Sequence, residues 1–349
     1  MAPFLINFIR AYMKNFIILL VVLLAGCAKP QEQVITLTGN TMGTTYSVKY
    51  VDFPGETAVV DPVLLKEIID SRLVEINQLM STYIPDSELS VINNSPANMS
   101  LTVSDETLYV INKAIELNEI SSGKLDITVG PLVNLWGFGP TKLPEKVPSK
   151  DELTEVDEYI GIDKFILSGN QLTKLHKDVY IDLSTIAKGY GVDQIAEILI
   201  GYTLNNFLVE IGGEMRLSGK KPGNRDWSIA IEKPISGERL IQRFLTVGNN
   251  SVATSGDYRN YFENDGVRYS HLIDPTTRFP IQHKLVSVTV IAEKSIMADG
   301  LATALIVLGE ESGLELANKE NIAALFIVKK GNDFIEIESN ALMALTSVQ

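Results

Sequence analysis

Asp299 and Thr303 stand four residues apart in the apolar run that follows Ser295. On a helix this spacing puts a carboxylate and a hydroxyl on one face. Both are hard oxygen donors, suited to Mg2+ rather than to zinc. The start of that helix, near Ser295, is expected to add partial positive charge to the same place. Asp182, Thr185 and Lys188 form a second group. Asp182 ends an apolar extended run, where it could also cap the helix that follows. A lysine placed there can neutralise charge developing on a phosphate. His271 lies three residues before Asp274 in a strand-to-turn segment. An imidazole titrates near neutrality, so it can take a proton from a hydroxyl. Asp257 is the competing base. Gly212-Gly213 offers positive φ and a close approach of backbone to a ligand.

The elements that must position these groups read as a mixture. Val34–Thr38 and Thr44–Val51 alternate as strands around Gly39-Asn40. Asp61-Pro62 opens a helix with Leu65, Ile68, Ile69, Ile76, Leu79 and Met80 on its apolar face. A second helix follows Ser104 and stops at Gly123. Pro140, Pro144 and Pro148 mark a loop, and Ser149 with Glu152 forms a capping box. Phe165–Ser168 and Gln171–Leu175 form a hairpin, and Val179–Leu183 reads as a third strand. A helix is expected from about Thr185 to Ile200. Strands then dominate from Phe207 to Ala292, with turns at Gly212-Gly213, Pro222-Gly223 and Asp265-Gly266. Ser295 opens an apolar helix to Leu308. Another helix follows, then a hairpin turning at Gly331-Asn332. Strands and helices do not alternate strictly and no polar linker divides the chain. The expected fold is α+β: mixed sheets with packed helices, two-lobed, in a single catalytic domain over residues 34–349.

Familiar motifs of other chemistries fail. Gly189-Tyr190-Gly191 is followed by Gln194, not by the third glycine of a dinucleotide fingerprint. Gly219-Lys220 lacks the rest of a P-loop, and Ser184 and Lys188 are one residue too far apart for a Ser-x-x-Lys nucleophile. The three histidines, His176, His271 and His283, lack zinc spacing. His176 and His283 read as structural. The chain of 349 residues carries 43 acids against 30 Lys and Arg, a formal charge of −13. That balance argues against nucleic acid as a partner. With 45% apolar and 21% charged residues, the composition excludes wholesale disorder and a many-span membrane protein.

One cysteine, Cys27, excludes an intrachain disulfide. Phe16–Ala25 is a run of ten apolar residues preceded by Arg10 and Lys14, with no acid before Glu32. This is a signal-peptide pattern. Ten helical residues span about 15 Å, too short for a bilayer core of about 30 Å. The run ends Leu24-Ala25-Gly26-Cys27, which resembles a bacterial lipobox. The resemblance implies cleavage after residue 26, lipidation of Cys27, a tether over residues 27–33 and an anchored domain outside the cytoplasm. Met13 could serve as the start as well as Met1.

The polar clusters at the ends of apolar segments follow one order. They are Thr41-Met42-Gly43-Thr44-Thr45-Tyr46, Met80-Ser81-Thr82-Tyr83, Gly123 to Pro131, Ile181 to Tyr190, Gly212-Gly213-Glu214, Thr254 to Tyr258, Tyr269 to Pro275 and Ala298 to Thr303. Together they resemble the ApbE family of flavin transferases over nearly the whole mature chain. The resemblance implies Mg2+-dependent transfer of FMN from FAD, as substrate, to a threonine hydroxyl of an acceptor protein, with release of AMP. The acceptors it implies are subunits of sodium- or proton-coupled redox complexes. It also implies that Met42, Tyr83, Lys124, Leu125, Asp126, Asp182, Lys188 and Ile273 line the FAD site. Thr185, Asp299 and Thr303 would surround the metal, with His271, Asp257 and Lys188 as the catalytic candidates. Met42 and Tyr83 could meet the flat ring systems. Ala302 stands where many members of the family carry an acid. An FAD pyrophosphatase and a non-catalytic flavin-binding lipoprotein are the alternatives.

Overall fold

The computed structural model describes residues 32–53, 60–139, 146–235, 240–257, 261–264, 267–331 and 333–347. The signal segment, Cys27, Tyr258, and the Asp265-Gly266 turn therefore lie outside the described residues, as does Asn332 of the last turn. Gln33–Thr41 (β1) and Thr44–Asp52 (β2) pair antiparallel with Thr41 opposite Thr44. The reversal falls on Met42-Gly43, at φ 49° and 71°, and not on Gly39-Asn40. Gly39 stays within the strand for a packing reason: a Cβ there would lie 2.4 Å from the Tyr46 ring.

Pro62–Met80 (α1) starts as expected, the Val63 N–H donating to the Asp61 carboxylate at 2.9 Å. Glu88–Asn93 (α2) and Ser100–Thr102 (β3) lead to Asp105–Ile120 (α3), capped by Ser104. Gly130–Leu135 (α4) and Lys150–Val156 (α5) follow, the latter with the reciprocal Ser149/Glu152 capping box. The hairpin Phe165–Ser168 (β4) and Gln171–Lys174 (β5) joins β3 in a three-stranded sheet. Residues 179–183 form no strand. Their backbone partners are side chains and a loop carbonyl rather than a neighbouring strand.

Ser184–Gly201 (α6) precedes Phe207–Ile211 (β6), Glu214–Ser218 (β7), Ile229–Glu232 (β8), Ile241–Leu245 (β9) and Ser251–Gly256 (β10). Tyr261–Asn264 (β11) and Val267–Ser270 (β12) form a hairpin before Leu285–Ala292 (β13). Ser295–Lys319 (α7) is broken at Gly309, φ 83° and ψ 179°, so two helices meet there as the sequence suggests. Ala323–Lys330 (β14), Asp333–Glu338 (β15) and Asn340–Ser347 (α8) complete the described chain. The short helices α2, α4 and α8 carry too few periodic residues to stand out in the sequence.

Eight strands form one sheet in the order β1-β2-β6-β7-β10-β13-β14-β15, every pair antiparallel. This is the expected α+β class. β14 shows how both faces are buried. Ala324, Phe326 and Val328 pack toward α6 and α7, while Leu325 and Ile327 pack toward Trp227, β8, β9 and α8. Helices α6 and α7 cross on the first face. At the crossing a Cβ on Gly189 would lie 2.4 Å from the Ser295 carbonyl oxygen. Only glycine permits this approach.

Gly189→Ala should therefore force the helices apart and cost about 1–3 kcal/mol. Gly201→Ala meets nothing within 4 Å at negative φ, and should stabilise by about 0.5 kcal/mol. Urea melts of the two variants test the pair. A neutral Gly189→Ala would contradict the packing.

Candidate active site

A cleft of about 400 Å³ opens beside the α6–α7 crossing. It is lined by Lys124, Leu125 and Asp126 from the loop after α3, and by Asp182, Thr185 and Lys188 around the start of α6. Glu214 at the start of β7, His271 and Ile273 after β12, and Asp299 and Thr303 on α7 line it as well. Ten of the residues singled out from sequence thus meet in one place, drawn from segments up to 179 residues apart (Lys124 to Thr303).

At the cleft's deep side Lys188 Nζ lies 3.1 Å from Glu214 Oε1 and 3.6 Å from Asp299 Oδ1. Asp299 is only 4% exposed. Its Oδ2 accepts from the Gly189 N–H at 3.0 Å. One ammonium therefore faces two buried carboxylates. Burial raises the Asp299 carboxyl, and Lys188 opposes it. Burial and the charge of Asp299 push Glu214 up to about 8. Burial pulls Lys188 down, but the two carboxylates outweigh it and leave its ammonium firmly protonated. Gly212 and Gly213, at φ 63° and 111°, let the chain turn tightly before Glu214. A Cβ on Gly212 would lie 3.4 Å from both Glu214 Oε2 and Lys188 Cδ.

The donor chemistry fits a hard cation. Thr185 Oγ1 and Glu214 Oε2 are buried with no hydrogen-bond partner, and Thr303 Oγ1 meets only Ser255 Oγ among the described polar side chains, at 3.3 Å. With Asp299 these are oxygen ligands of the type Mg2+ takes. Among the described residues no three His, Cys, Asp or Glu side chains surround a common point.

The opposite wall is held by salt bridges and turns. Lys124 Nζ meets Asp274 at 2.9 and 2.8 Å, joining segments 150 residues apart. The Asp126 carboxylate accepts from Thr128 N and Oγ1 at 2.7 and 2.6 Å, while burial raises its pKa. Asp182 accepts from the Ser184 N–H at 2.9 Å, at the start of α6. His271 stands edge-on to Phe138, 6.4 Å between ring centres, and Phe138 continues into Phe262 and Tyr269.

Three site candidates stand elsewhere. Met42 is in the β1–β2 turn and packs over Gly191, where a Cβ would lie 3.1 Å from its Cε. Tyr83 is 76% exposed. Asp257 is buried beside the cleft residue Gly256 but does not itself line the cleft. The N-terminus of α7 does not reach the cleft either. Its Ser295 and Ile296 N–H groups donate to the buried Asp193 carboxylate, both at 3.0 Å. The positive end of that helix is thus neutralised inside the protein, and the helix end that faces the cleft is that of α6.

Glu214 and Asp274, which pair with Lys188 and Lys124, escape sequence reasoning. A glutamate at a strand start and an aspartate before proline look like ordinary surface residues, and only the Gly-Gly pair hinted at the first.

The sequence model of the ApbE family matches residues 42–326. The chain belongs to the ApbE family. It is 49% identical over 337 residues to the FAD:protein FMN transferase of Vibrio cholerae serotype O1, covering 96% of this chain and 100% of that one. It is 48% identical to the FAD:protein FMN transferase of Haemophilus influenzae, covering 93% and 95%. Among solved structures it resembles the flavin transferase ApbE from Vibrio cholerae, with TM-score 0.82 and 47% identity over 90% of this chain and 99% of that one. The apo flavinyl transferase ApbE of Pseudomonas stutzeri gives 0.84 and 38%, over 91% and 98%.

Removing one member of the buried charge cluster should expose its cost. Lys188→Met leaves Glu214 facing Asp299 and should destabilise by about 3 kcal/mol. Adding Glu214→Gln to that variant should recover part of the loss. A double variant less stable than Lys188→Met would show that the two carboxylates do not repel each other.

Proposed function

We propose that this chain transfers FMN from FAD to a threonine hydroxyl of an acceptor protein and releases AMP, with Mg2+. The carrying observation is the ammonium of Lys188 set between buried Asp299 and Glu214 in the cleft, within a chain whose relatives are named FAD:protein FMN transferase.

The threonine oxygen bonds to the FMN phosphorus as the bond from that phosphorus to the bridging oxygen breaks. The electron pair leaves on AMP. His271, which lines the cleft, takes the threonine proton. Lys188 lies where it can neutralise pyrophosphate charge as it shifts to the leaving group. Lys124 and the α6 N-terminus hold the phosphates from the other side. Asp299, Thr303 and Thr185 would hold Mg2+, which supplies further charge neutralisation when bound.

The lipobox-like Leu24-Ala25-Gly26-Cys27 supports a mature chain anchored by lipid at Cys27 to a membrane's extracytoplasmic face. Acceptors would then be membrane redox subunits, of the sodium- or proton-coupled complexes that the family serves. No helix among the described residues is long and apolar enough to cross a membrane.

Mass spectrometry of a co-expressed redox subunit tests the transfer. An added FMN on threonine is expected; free FMN and AMP without protein-bound flavin would make the chain a pyrophosphatase. Asp299→Ala should slow transfer about a hundredfold or more while the fold survives. Thr303→Ala, which removes a neutral donor, should lose less and regain rate with excess Mg2+. A folded Asp299→Ala protein with unchanged rate and Mg2+ dependence would remove the metal assignment. Cys27→Ser should abolish lipid attachment, read as an intact mass, and leave flavin chemistry unchanged.

A further inference from the structure

The segment 179–183 carries Asp182 into the cleft and leads directly into Thr185 and Lys188, yet among the described residues no strand pairs with it. Three groups replace the missing strand. The Asn93 amide at the end of α2 donates to the Ile181 carbonyl at 2.8 Å and accepts from the Ile181 N–H at 2.7 Å. A side chain thereby imitates a full strand partner. The Asp182 N–H donates to the Ile127 carbonyl at 2.7 Å. Lys174, with no exposed surface, sends its ammonium to the Asn93, Lys177 and Val179 carbonyls at 2.5, 3.0 and 3.2 Å. Among the described residues no carboxylate forms an ion pair with it. A buried ammonium satisfied only by backbone carbonyls fixes their positions strongly, because loss of any one leaves a buried charge undersolvated.

We propose that Asn93 and Lys174 form a clamp that positions Asp182, Thr185 and Lys188 against the phosphates of the flavin nucleotide. The clamp rests on the reading of the cleft as the FAD site. Neither residue lines the cleft, so both act through the segment they hold. The amide does the fine placement, since it grips the residue next to Asp182. The ammonium ties that amide's own backbone carbonyl to the same segment at Val179. Asn93 and Val179 thus share one donor, and the two contacts move together.

The test compares Asn93→Ala, Lys174→Arg and Lys174→Met with Leu342→Ala, a buried change in α8 on the far face of the sheet. Each purified full-length variant is titrated with FAD in Mg2+ buffer, well below its melting temperature, and kcat and KM for FMN transfer are measured. Asn93→Ala is expected to weaken FAD binding at least tenfold and lower kcat. Leu342→Ala is expected to lose comparable melting temperature and leave FAD affinity within twofold. Lys174→Arg, which keeps the charge, is expected to retain more affinity than Lys174→Met. Should Lys174→Met fail to fold, Asn93→Ala alone decides. Wild-type affinity in folded Asn93→Ala, or an equal loss in Leu342→Ala, would overturn the clamp while leaving the FAD site standing. A wild-type chain that does not bind FAD would overturn both.

Discussion

Everything in the cleft is arranged around one lysine ammonium that has two buried carboxylates for company. Lys188 sits on the first turns of α6, Asp299 on α7 and Glu214 at the head of β7. Separating them in water would cost nothing, but burying them apart would be prohibitive. The three elements are therefore bound to one another by electrostatics as well as by packing. Burial raises both carboxyls, and repulsion by Asp299 helps push Glu214 up to about 8, so a bound cation would be balanced by loss of a proton from the cluster. A site built to receive a metal and a polyphosphate together has that character.

Holding these groups at contact distance requires the backbones to come unusually close. Gly189 supplies the approach of α6 to α7, and Gly212 turns the chain beside Lys188. The buried Asp193 carboxylate locks the relative shift of the two helices by capping α7 from α6. Arg216 meets Asp193 at 3.3 Å and Glu197 at 2.9 Å, so β7 is tied to the same junction that its neighbour Glu214 faces. Burial raises the Asp193 carboxyl, and the two α7 N–H groups and Arg216 oppose that rise. Lys188, Glu214 and Asp299 are carried by two helices and the end of a central strand, which hold them more precisely than loops would.

Much of this was legible in the chain. The four-residue spacing of Asp299 and Thr303 reaches the cleft because helical periodicity fixes it, whereas Asp182 and the Lys124-Asp126 cluster, outside regular elements, were legible only through the family motifs. The capping box at Ser149 and the helix start at Asp61 were equally plain. What was hidden depends on tertiary pairing. Residues 179–183 look like a strand because they are apolar and β-branched, but their partners are the Asn93 amide and the Lys174 ammonium. The β1–β2 reversal moved to Met42-Gly43 because Gly39 is needed under the Tyr46 ring. The position of Ser295 points the dipole of α7 at the ligand, but Asp193 takes that end instead. No spacing rule shows that a residue over a hundred positions away will cap a helix. Met42 and Tyr83 carry side chains that pack well on flat rings, yet stand outside the cleft lining.

The central claim is that the Lys188–Asp299–Glu214 cluster is where the nucleotide's pyrophosphate and its cation bind. A crystal structure of the chain with FAD and Mn2+, in place of Mg2+, tests it most directly through the metal's anomalous signal. The expected result is a metal peak in contact with Asp299 and the pyrophosphate, with Lys188 turned onto a phosphate oxygen. A well-ordered dinucleotide whose pyrophosphate and metal lie away from this cluster would contradict the account.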